Sequence, residues 1–430
     1  MSFDEKVSIY SKDFLKCCLY LRNYEKSEIF FTKKLYSKMI ATSQLLEDLL
    51  DFHGAKINRK WFFYRELAAT IRHLSLAAYV QQHIINRLSY YKLETINSFP
   101  EQAQYTMDFF NSILIRIAPV ILNEAESLGI EIPEEFFSPS DFPGVITSEL
   151  LEADIDEDEN LEIQSKYIAK ISSEYLTLTK KFDQIFGFYS PYSTSEIKSL
   201  IPDKVNEGEI SRFSILVHNL QSSFDSYVAH GGYHGSNKRL IILRAHISVS
   251  LHLLQIVERL LHYYERHLQD RGYKDTYKKV MEDLSFIVDK KFLLDRTINY
   301  ALYFSNYFLS GGKEIAENLL NENMEKGRIT VGIPEKLGFH SRPSLMVAKV
   351  VQFYGGEVEM HVGDSKFDAG SVLDIQWAGG KIQKENIKKV SFVGDIRALN
   401  DLKILAGVNY GENSMGKGVP LPKELDYLKE

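Results

Sequence analysis

Gly338-Phe339-His340-Ser341-Arg342-Pro343-Ser344 separates two segments of different periodicity and decides how the C-terminal part of this 430-residue chain folds. Residues 328–333, before it, alternate between apolar and polar side chains, which predicts a strand. Residues 344–354, after it, carry apolar side chains at helical spacing, which predicts an amphipathic helix. A histidine at the start of that helix faces free backbone N–H groups, and an arginine follows two residues later. The heptapeptide therefore predicts a site for an anion, above all for a phosphoryl group carried on the imidazole.

The elements that follow predict a small open-faced α+β sandwich over residues 327–410, with a tail at 411–430. Further strands are predicted at 357–362, 366–368 and 389–393. Ser371 and Asp374 have capping-box spacing, so we expect a short helix to begin there and to end at Gly379-Gly380. Asp395 is predicted to cap a last helix. The order is β-α-β-β-α-β-α, with the helices on one side of the sheet.

The helical period dominates the chain up to about residue 320. Its first four helices are predicted at 11–22, 28–51, 58–93 and 101–126. We expect a large all-α N-terminal bundle, either single or divided into subdomains at 1–130 and 161–326. Residues 131–160 contain three prolines and an acidic run, which predicts an irregular acidic linker. The fold class is thus multidomain, a large helical part followed by the small sandwich.

Composition narrows the class of protein. Apolar residues make up 44% and charged residues 25%, as in soluble globular proteins, and the net charge of -7 argues against a general nucleic-acid binder. The only two cysteines are adjacent, so no disulfide framework is expected. The polar N-terminus does not resemble a signal peptide, and Arg116 interrupts the apolar stretch 109–122. We expect a cytoplasmic protein without nucleic-acid or membrane partners.

Residues of about 327 to 410 resemble HPr, the histidine-containing phosphocarrier of the phosphoenolpyruvate:sugar phosphotransferase system. The signature of that family is Gly-Leu-His-Ala-Arg-Pro-Ala, and this chain has Gly338-Phe339-His340-Ser341-Arg342-Pro343-Ser344. The order of strands and helices also agrees. The resemblance covers about one fifth of the protein.

The resemblance implies that His340 accepts a phosphoryl group on its Nδ1 from an Enzyme I-like donor and passes it on. Arg342 would pair with the phosphoryl oxygens. Ser341, Pro343 and Ser344 would form the helix start that completes the site, with Pro343 losing no intrahelical hydrogen bond there. Neutral imidazole is a nucleophile near neutral pH, so the chemistry also follows from the residues themselves.

The resemblance also implies two further features of the helix that begins at Ser371. This serine matches a residue that a regulatory kinase phosphorylates in some bacteria, although a serine with Asp374 three residues later also serves as a helix cap. Val372, Leu373 and Ile375 match the apolar surface that docks against Enzyme I. Gln376 and Trp377 depart from the family pattern, which predicts altered or weaker docking contacts.

The function predicted from these residues is a phosphocarrier or a phosphorylation-dependent regulator, with a helical region that recognises a partner. The chain lacks the Thr-Ser-His phosphohistidine motif of Enzyme I, so a separate donor is expected and the acceptor is unidentified. The protein would carry a phosphoryl group rather than act as a stand-alone enzyme. Two alternatives stay open: an interaction module whose HPr-like fold is silent, and a helical enzyme domain that the HPr-like domain switches.

Histidines are frequent in the second half of the helical region. Seven of the twelve lie between His218 and His267, but only His230 and His234 have i,i+4 spacing, and three nearby glycines argue against a helix there. The sequence has no His-Glu-x-x-His motif. Because histidines on helix faces usually serve packing, we predict no metal site and no cofactor.

Overall fold

The structure, a computed structural model, describes residues 1–23, 29, 31–91, 93, 98–145, 161–187, 190–228, 237–269, 275–355, 357–413 and 417–429. The chain divides into two compact units. The first comprises Met1–Ile155, Phe182–Asn219 and Arg244–Leu309, and the second comprises Asp156–Lys181, Leu220–Leu243 and Ser310–Glu430. The predicted domain boundaries stay predictions, and the second half of the predicted acidic linker, residues 146–160, lies outside the described residues.

A large helical region precedes a small antiparallel sheet, which confirms the coarse fold class. The helices before the sheet are α1 (Phe3–Asn23), α2 (Lys33–Phe52), α3 (Phe62–Tyr91), α4 (Ser98–Ser127), α5 (Leu161–Phe186), α6 (Thr194–Leu200), α7 (Glu207–Phe224), α8 (Lys238–Tyr263), α9 (Asp275–Ile287), α10 (Lys290–Asp295), α11 (Tyr303–Gly311) and α12 (Lys313–Asn323). The first four predicted helices are confirmed, with their ends shifted by up to eight residues.

Helices α1 to α4 form a four-helix arrangement in the first unit. Helix α1 packs against α2 and α4, and α3 packs against the same two helices. Each helix presents a buried apolar stripe, as its 3.6-residue period predicts. Thr32 caps α2 by accepting a hydrogen bond from the Leu35 N–H at 3.3 Å. Burial of the apolar stripes, rather than propensity alone, holds these helices in place.

Within the described residues, two helical stretches are long and apolar enough to cross a membrane, judged by length and composition alone. They are Ser98–Ser127 and Lys238–Leu268, and 50% and 72% of their most apolar windows are buried inside the protein. Core helices of soluble proteins pass the same test, so these stretches are weak evidence for a membrane span. Both are compatible with a soluble protein.

The C-terminal sheet lies in the second unit and has the order β1-β4-β2-β3, with antiparallel neighbours. The elements are β1 (Lys326–Gly332), α13 (Ser341–Tyr354), β2 (Val358–Val362), β3 (Ser365–Asp368), α14 (Val372–Glu385), β4 (Lys389–Asp395) and α15 (Ile396–Gly407). The predicted order β-α-β-β-α-β-α is confirmed. Alternate residues of β2, beginning with Val358, are buried in one core with apolar residues of all three helices, as a sheet covered on one face requires.

The predicted end of α14 at Gly379-Gly380 is wrong. The helix continues to Glu385 and ends at Asn386, which adopts φ +53°. Gly379 is buried, and a Cβ built on it would lie 3.1 Å from the carbonyl oxygen of Phe339. The glycine therefore allows close packing inside a helix rather than ending one. The predicted caps Ser371 and Asp395 are confirmed.

The described part of the predicted tail belongs to the core of this C-terminal region. Leu425 and Leu428 are buried with the sheet and its helices. Tyr427 stacks on Phe353 with ring centroids 3.8 Å apart, and Lys349 Nζ donates to the Leu428 carbonyl at 3.1 Å. These contacts hold the chain after residue 410 against α13, whose N-cap residue is His340.

Candidate functional site

The backbone before α13 makes a sharp turn that presents His340. Leu337 and Gly338 both adopt left-handed conformations, with φ +60° and +59°. Leu337 has a side chain and is disfavoured there, and such strain is often found at functional sites. His340 is the N-cap residue of α13, but its side chain makes no cap hydrogen bond. The imidazole is therefore available for other partners.

The start of α13 leaves two backbone donors beside this imidazole. The His340 N–H donates to the Gly338 carbonyl at 2.9 Å, and the Ser344 N–H donates to the His340 carbonyl at 3.1 Å. Pro343 has no N–H. The N–H groups of Ser341 and Arg342 are left without intrahelical acceptors, since they occupy the first two positions of the helix. Pro343 and Ser344 are buried and fix this turn, and Ser344 Oγ donates to the Phe339 carbonyl at 3.0 Å.

A buried carboxylate contacts the ring of His340. Glu412 Oε2 lies 3.1 Å from His340 Nε2, and the Glu412 side chain is only 2% exposed whereas that of His340 is 32% exposed. Backbone contacts hold Glu412: it bridges to Gly418, and its N–H donates to the Asn409 carbonyl at 3.2 Å. Tyr410, two residues earlier, donates to the Gly332 carbonyl at 2.6 Å. Burial raises the pKa of Tyr410, so this anchor stays protonated.

The carboxylate determines which nitrogen of His340 is nucleophilic. A carboxylate only accepts hydrogen bonds, so the neutral ring donates from Nε2–H to Glu412 and keeps its lone pair on Nδ1. Within the described residues, Nδ1 has no hydrogen-bond partner. The site thus offers an unprotonated ring nitrogen at the start of a helix.

Arg342 lies on the same side of the site as Glu412. Its Nη1 is 3.9 Å from Glu412 Oε1, and its side chain is about half exposed. Glu412 Oε1 is buried and has no hydrogen-bond partner among the described residues. Gly418 lies beneath the guanidinium, where a Cβ would come within 3.0 Å of Arg342 Nη1. The guanidinium thus lies next to the carboxylate that contacts the His340 ring, and about half of its side chain is exposed.

His361 is a second histidine of this C-terminal region, and unlike His340 it has hydrogen-bond partners on both ring nitrogens. His361 Nε2 lies 2.7 Å from Glu359 Oε2, so it also has a carboxylate partner. Its Nδ1 lies 3.1 Å from Arg328 Nη2, and a guanidinium can only donate. Both nitrogens of His361 are therefore engaged. His340 differs because its second nitrogen is left open beside a helix start.

The structure separates the residues predicted to dock a partner. Leu373 is 63% exposed and Trp377, one turn later on α14, is 68% exposed. Ile375 is predicted to dock together with Val372 and Leu373, but its side chain is fully buried in the core because it lies on the opposite face of the helix from Leu373. Val372 is partly buried against that core. The exposed apolar surface is therefore formed by Leu373 and Trp377.

Helix α14 also reaches the start of α13. Gln376 Nε2 donates to Ser341 Oγ at 3.4 Å, which places the α14 surface near the heptapeptide. Ser371 Oγ accepts a hydrogen bond from the Asp374 N–H at 3.3 Å, so its hydroxyl serves as a cap. Regulatory phosphorylation of Ser371 stays a prediction.

Sequence reasoning found the ring, the arginine and the helix start but missed Glu412. This residue lies 72 positions after His340, within the segment predicted to be a tail. No local pattern marks it, since an acidic residue in a glycine-containing segment is typical of a surface turn.

Comparisons of this chain with models of protein families, with curated proteins and with solved structures find no match.

Proposed function

We propose that the C-terminal region acts as an HPr-like phosphocarrier or phosphorylation-dependent regulator that receives a phosphoryl group on Nδ1 of His340. The observation that carries this proposal is the hydrogen bond from His340 Nε2 to buried Glu412, which leaves Nδ1 open at the start of α13. The match of Gly338–Ser344 to the HPr signature in a strand–loop–helix setting supports it. The helical part would recognise a partner or a regulated protein.

The transfer follows from the tautomer. The lone pair of Nδ1 forms a new N–P bond while the bond between phosphorus and the donor nitrogen breaks, and that electron pair returns to the donor imidazole. Nε2–H stays hydrogen-bonded to Glu412, so the ring loses no proton during the transfer. The positive charge that develops on the imidazole is stabilised by the Glu412 carboxylate.

The groups around Nδ1 would stabilise the phosphoryl oxygens. The N–H groups of Ser341 and Arg342 and the positive end of the α13 dipole favour negative charge by up to about 1–2 kcal/mol. The Arg342 guanidinium contacts Glu412 in this structure and would have to turn toward Nδ1 to add charge-assisted hydrogen bonds of similar strength. Pro343 fixes the turn without occupying a donor, and Ser344 anchors it to Phe339.

Glu412 also limits how strongly the phosphoryl group is held. A dianionic phosphoryl group on the ring would be repelled by a carboxylate buried on the other side of the same imidazole, because low exposure weakens screening. This repulsion makes the phosphoramidate a better donor. A carrier needs that property, whereas a permanent phosphate site does not.

The donor would be an Enzyme I-like phosphohistidine protein that docks on the surface formed by Leu373 and Trp377. Exposed large apolar side chains next to a functional group are typical of interaction sites. The acceptor is not defined by the chain. We further propose a cytoplasmic protein that needs neither nucleic acid nor membrane, in accord with its net charge of -7.

The test is phosphorylation of the full-length chain by Enzyme I with phosphoenolpyruvate, and separately by the small donor phosphoramidate. We expect acid-labile, base-stable label on one histidine in both reactions, with no label in His340→Ala. His361→Ala is the matched control, since this histidine lies in the same region and has a carboxylate partner. It should keep full labelling.

The alternatives predict other results. If neither donor labels the wild-type chain, or if His340→Ala is labelled as strongly as wild type, the carrier function is wrong. The silent interaction module would then become the better explanation. Labelling by phosphoramidate but not by Enzyme I would keep the reactive histidine and reject the Enzyme I-like donor.

A further inference from the structure

Three histidines that belong to no sequence motif lie close together inside the first unit. His73 lies on α3, His262 lies near the end of α8, and His267 follows in a short π-helical stretch, Tyr264–Leu268. One ring nitrogen from each lies within 4.8 Å of the other two. His73 and His267 are buried, and His262 is about one third exposed.

The π-helical stretch brings His262 and His267 to the same face. Five residues apart on an α-helix, they would point about 140° away from each other, since each residue turns the helix by about 100°. In the π-helical stretch the backbone bonds connect residues five apart, as the Gln269 N–H shows by donating to the Tyr264 carbonyl at 2.9 Å. The wider turn reduces the angle between a residue and the fifth residue after it, compared with an α-helix. Such single π turns occur often at functional sites.

Helix α3 supplies a polar stripe opposite these residues. Glu66, Thr70 and His73 follow one another at helical spacing on one face. Thr70 Oγ1 lies 2.8 Å from the Tyr263 hydroxyl, which ties the stripe to the end of α8. All three side chains are buried. An apolar core would not need them.

Two of the three imidazoles are oriented by carboxylates. His262 Nδ1 lies 2.7 Å from Glu207 Oε1, and His267 Nδ1 lies 2.8 Å from Glu66 Oε2. In the neutral ring of His262, Nδ1–H donates to the carboxylate, which leaves the lone pair on Nε2. The Nδ1 of His267 also faces the Arg65 guanidinium, which can only donate. Carboxylate–histidine pairs of this kind orient the ligands of metal ions in proteins.

His73 gives independent evidence that a ligand binds between these three histidines. It is 1% exposed, and neither of its ring nitrogens has a hydrogen-bond partner among the described residues. A buried polar atom without a partner costs about 1–3 kcal/mol, so both nitrogens are unexplained by packing. A neutral imidazole has one lone pair that it can donate to a metal ion.

We propose that His73, His262 and His267 bind one divalent transition-metal ion of the Zn²⁺ class. An equilateral triangle with sides of 4.8 Å would put each nitrogen about 2.8 Å from the centre. A Zn–N bond of about 2.0–2.1 Å needs each ligand atom to move inward by about 0.7 Å, which small side-chain rotations supply. Three imidazoles leave a fourth coordination position open, and the exposed edge of His262 gives an entry path.

Charges near the site both oppose and favour a cation. Arg72 and Arg259 are close enough to lower the pKa of His73, and Arg65 Nη1 lies 2.9 Å from His267 Nδ1. Glu66 and Glu207, hydrogen-bonded to two of the ligands, oppose this positive charge. Arg65 and Arg72 are themselves paired with Glu47 at 3.0 and 2.9 Å. The arginines thus carry counter-charges of their own.

The test uses the full-length, tag-free chain, stripped with a chelator and titrated with Zn²⁺ and with Co²⁺ as a visible probe. We expect one tightly bound equivalent and Co²⁺ absorption bands of a nitrogen-ligated site. His73→Phe keeps the ring shape and removes both nitrogens, so it should weaken binding by at least about 100-fold. Because it removes two unpaired polar atoms, the metal-free variant should be as stable as wild type or more so.

The controls separate the metal site from packing. His246→Phe changes an equally buried ring outside the cluster and should leave affinity unchanged. Glu207→Gln should weaken binding by about 10- to 100-fold, as loss of an orienting carboxylate does. If His73→Phe does not fold, His262→Gln replaces it at a partly exposed position. No stoichiometric binding by wild type, or equal affinity in the folded ligand variants, would overturn the proposal.

Discussion

Replacing Glu412 by glutamine tests the electrostatic basis of the proposed carrier site. Glu412→Gln keeps the size of the side chain but removes the negative charge that lies 3.1 Å from His340 Nε2. An amide can donate to Nε2 as well as accept from it, so the ring is no longer held as the Nε2–H tautomer. A larger share of the neutral rings would then carry the proton on Nδ1, where the phosphoryl group has to bind.

The expected loss follows from the strength of the contact. A hydrogen bond to a charged group contributes about 1.5–3 kcal/mol, and this one lies at a carboxylate that is only 2% exposed. At 1.36 kcal/mol for each factor of ten, the rate of phosphorylation should fall by about tenfold to a hundredfold. The phosphorylated form should at the same time become longer-lived, because Glu412 no longer repels the phosphoryl group.

The assay is the initial rate of acid-labile label from phosphoramidate, followed by the half-life of the labelled protein. Nitrogen-15 spectra of the imidazole report the tautomer directly, a readout that a merely structural role would leave unchanged. Glu424→Gln is the matched control, since Glu424 lies in the same C-terminal segment but is exposed. A rate within twofold of wild type together with an unchanged tautomer in Glu412→Gln would refute the reasoning.

Three further predictions concern other parts of the chain. Burial lowers the pKa of His246 to about 4, so the free energy of unfolding should fall by about 3 kcal/mol between pH 6.5 and pH 4, because the unfolded chain binds the proton first. In urea unfolding, the stability of His246→Phe should fall less over that range than that of wild type, and an equal fall would contradict the assignment. Gly394→Ala should destabilise the protein by about 3 kcal/mol or more, because Gly394 has φ +154° and a Cβ would lie 2.2 Å from the Glu357 carbonyl oxygen. Thermal melting measures this loss, and Gly407→Ala, where a Cβ would have nothing within 4 Å, should be neutral in the same experiment. Trp377→Ala, at a 68% exposed position, should slow labelling by Enzyme I by about tenfold while labelling by phosphoramidate stays unchanged, and equal slowing with both donors would exclude a docking role.

The sequence predicts those parts of the fold that depend on neighbours along the chain. Alternation and helical spacing identify the strands and the helices around His340, and the caps Ser371 and Asp395 lie where their spacing predicts. The predicted end of α14 fails because Gly379 serves a contact with Phe339, a residue 40 positions earlier. A glycine in the sequence can either end a helix or allow close packing against another segment, and only the tertiary structure distinguishes the two roles.

The partners of the reactive groups depend on distant parts of the chain, so no local pattern gives them. Glu412 contacts a ring 72 residues before it, and His267 lies close to a histidine of α3. His262 and His267 are five residues apart, a spacing that puts ligands on different faces of an α-helix. The π-helical stretch changes that geometry, and its formation depends on how the surrounding helices pack.

The two proposed sites share one arrangement: a carboxylate accepts a hydrogen bond from one nitrogen of an imidazole, which leaves the lone pair on the other nitrogen. In His340 the free nitrogen is Nδ1, and in His262 it is Nε2. What the lone pair meets decides the chemistry. Next to His340 lie the start of a helix and a guanidinium that contacts the same carboxylate, which favour an anionic electrophile. His262 instead has a ring nitrogen within 4.8 Å of ring nitrogens of His73 and His267, which favours a cation. His361 has a carboxylate partner but no free nitrogen, so we expect it neither to accept a phosphoryl group nor to bind a metal ion.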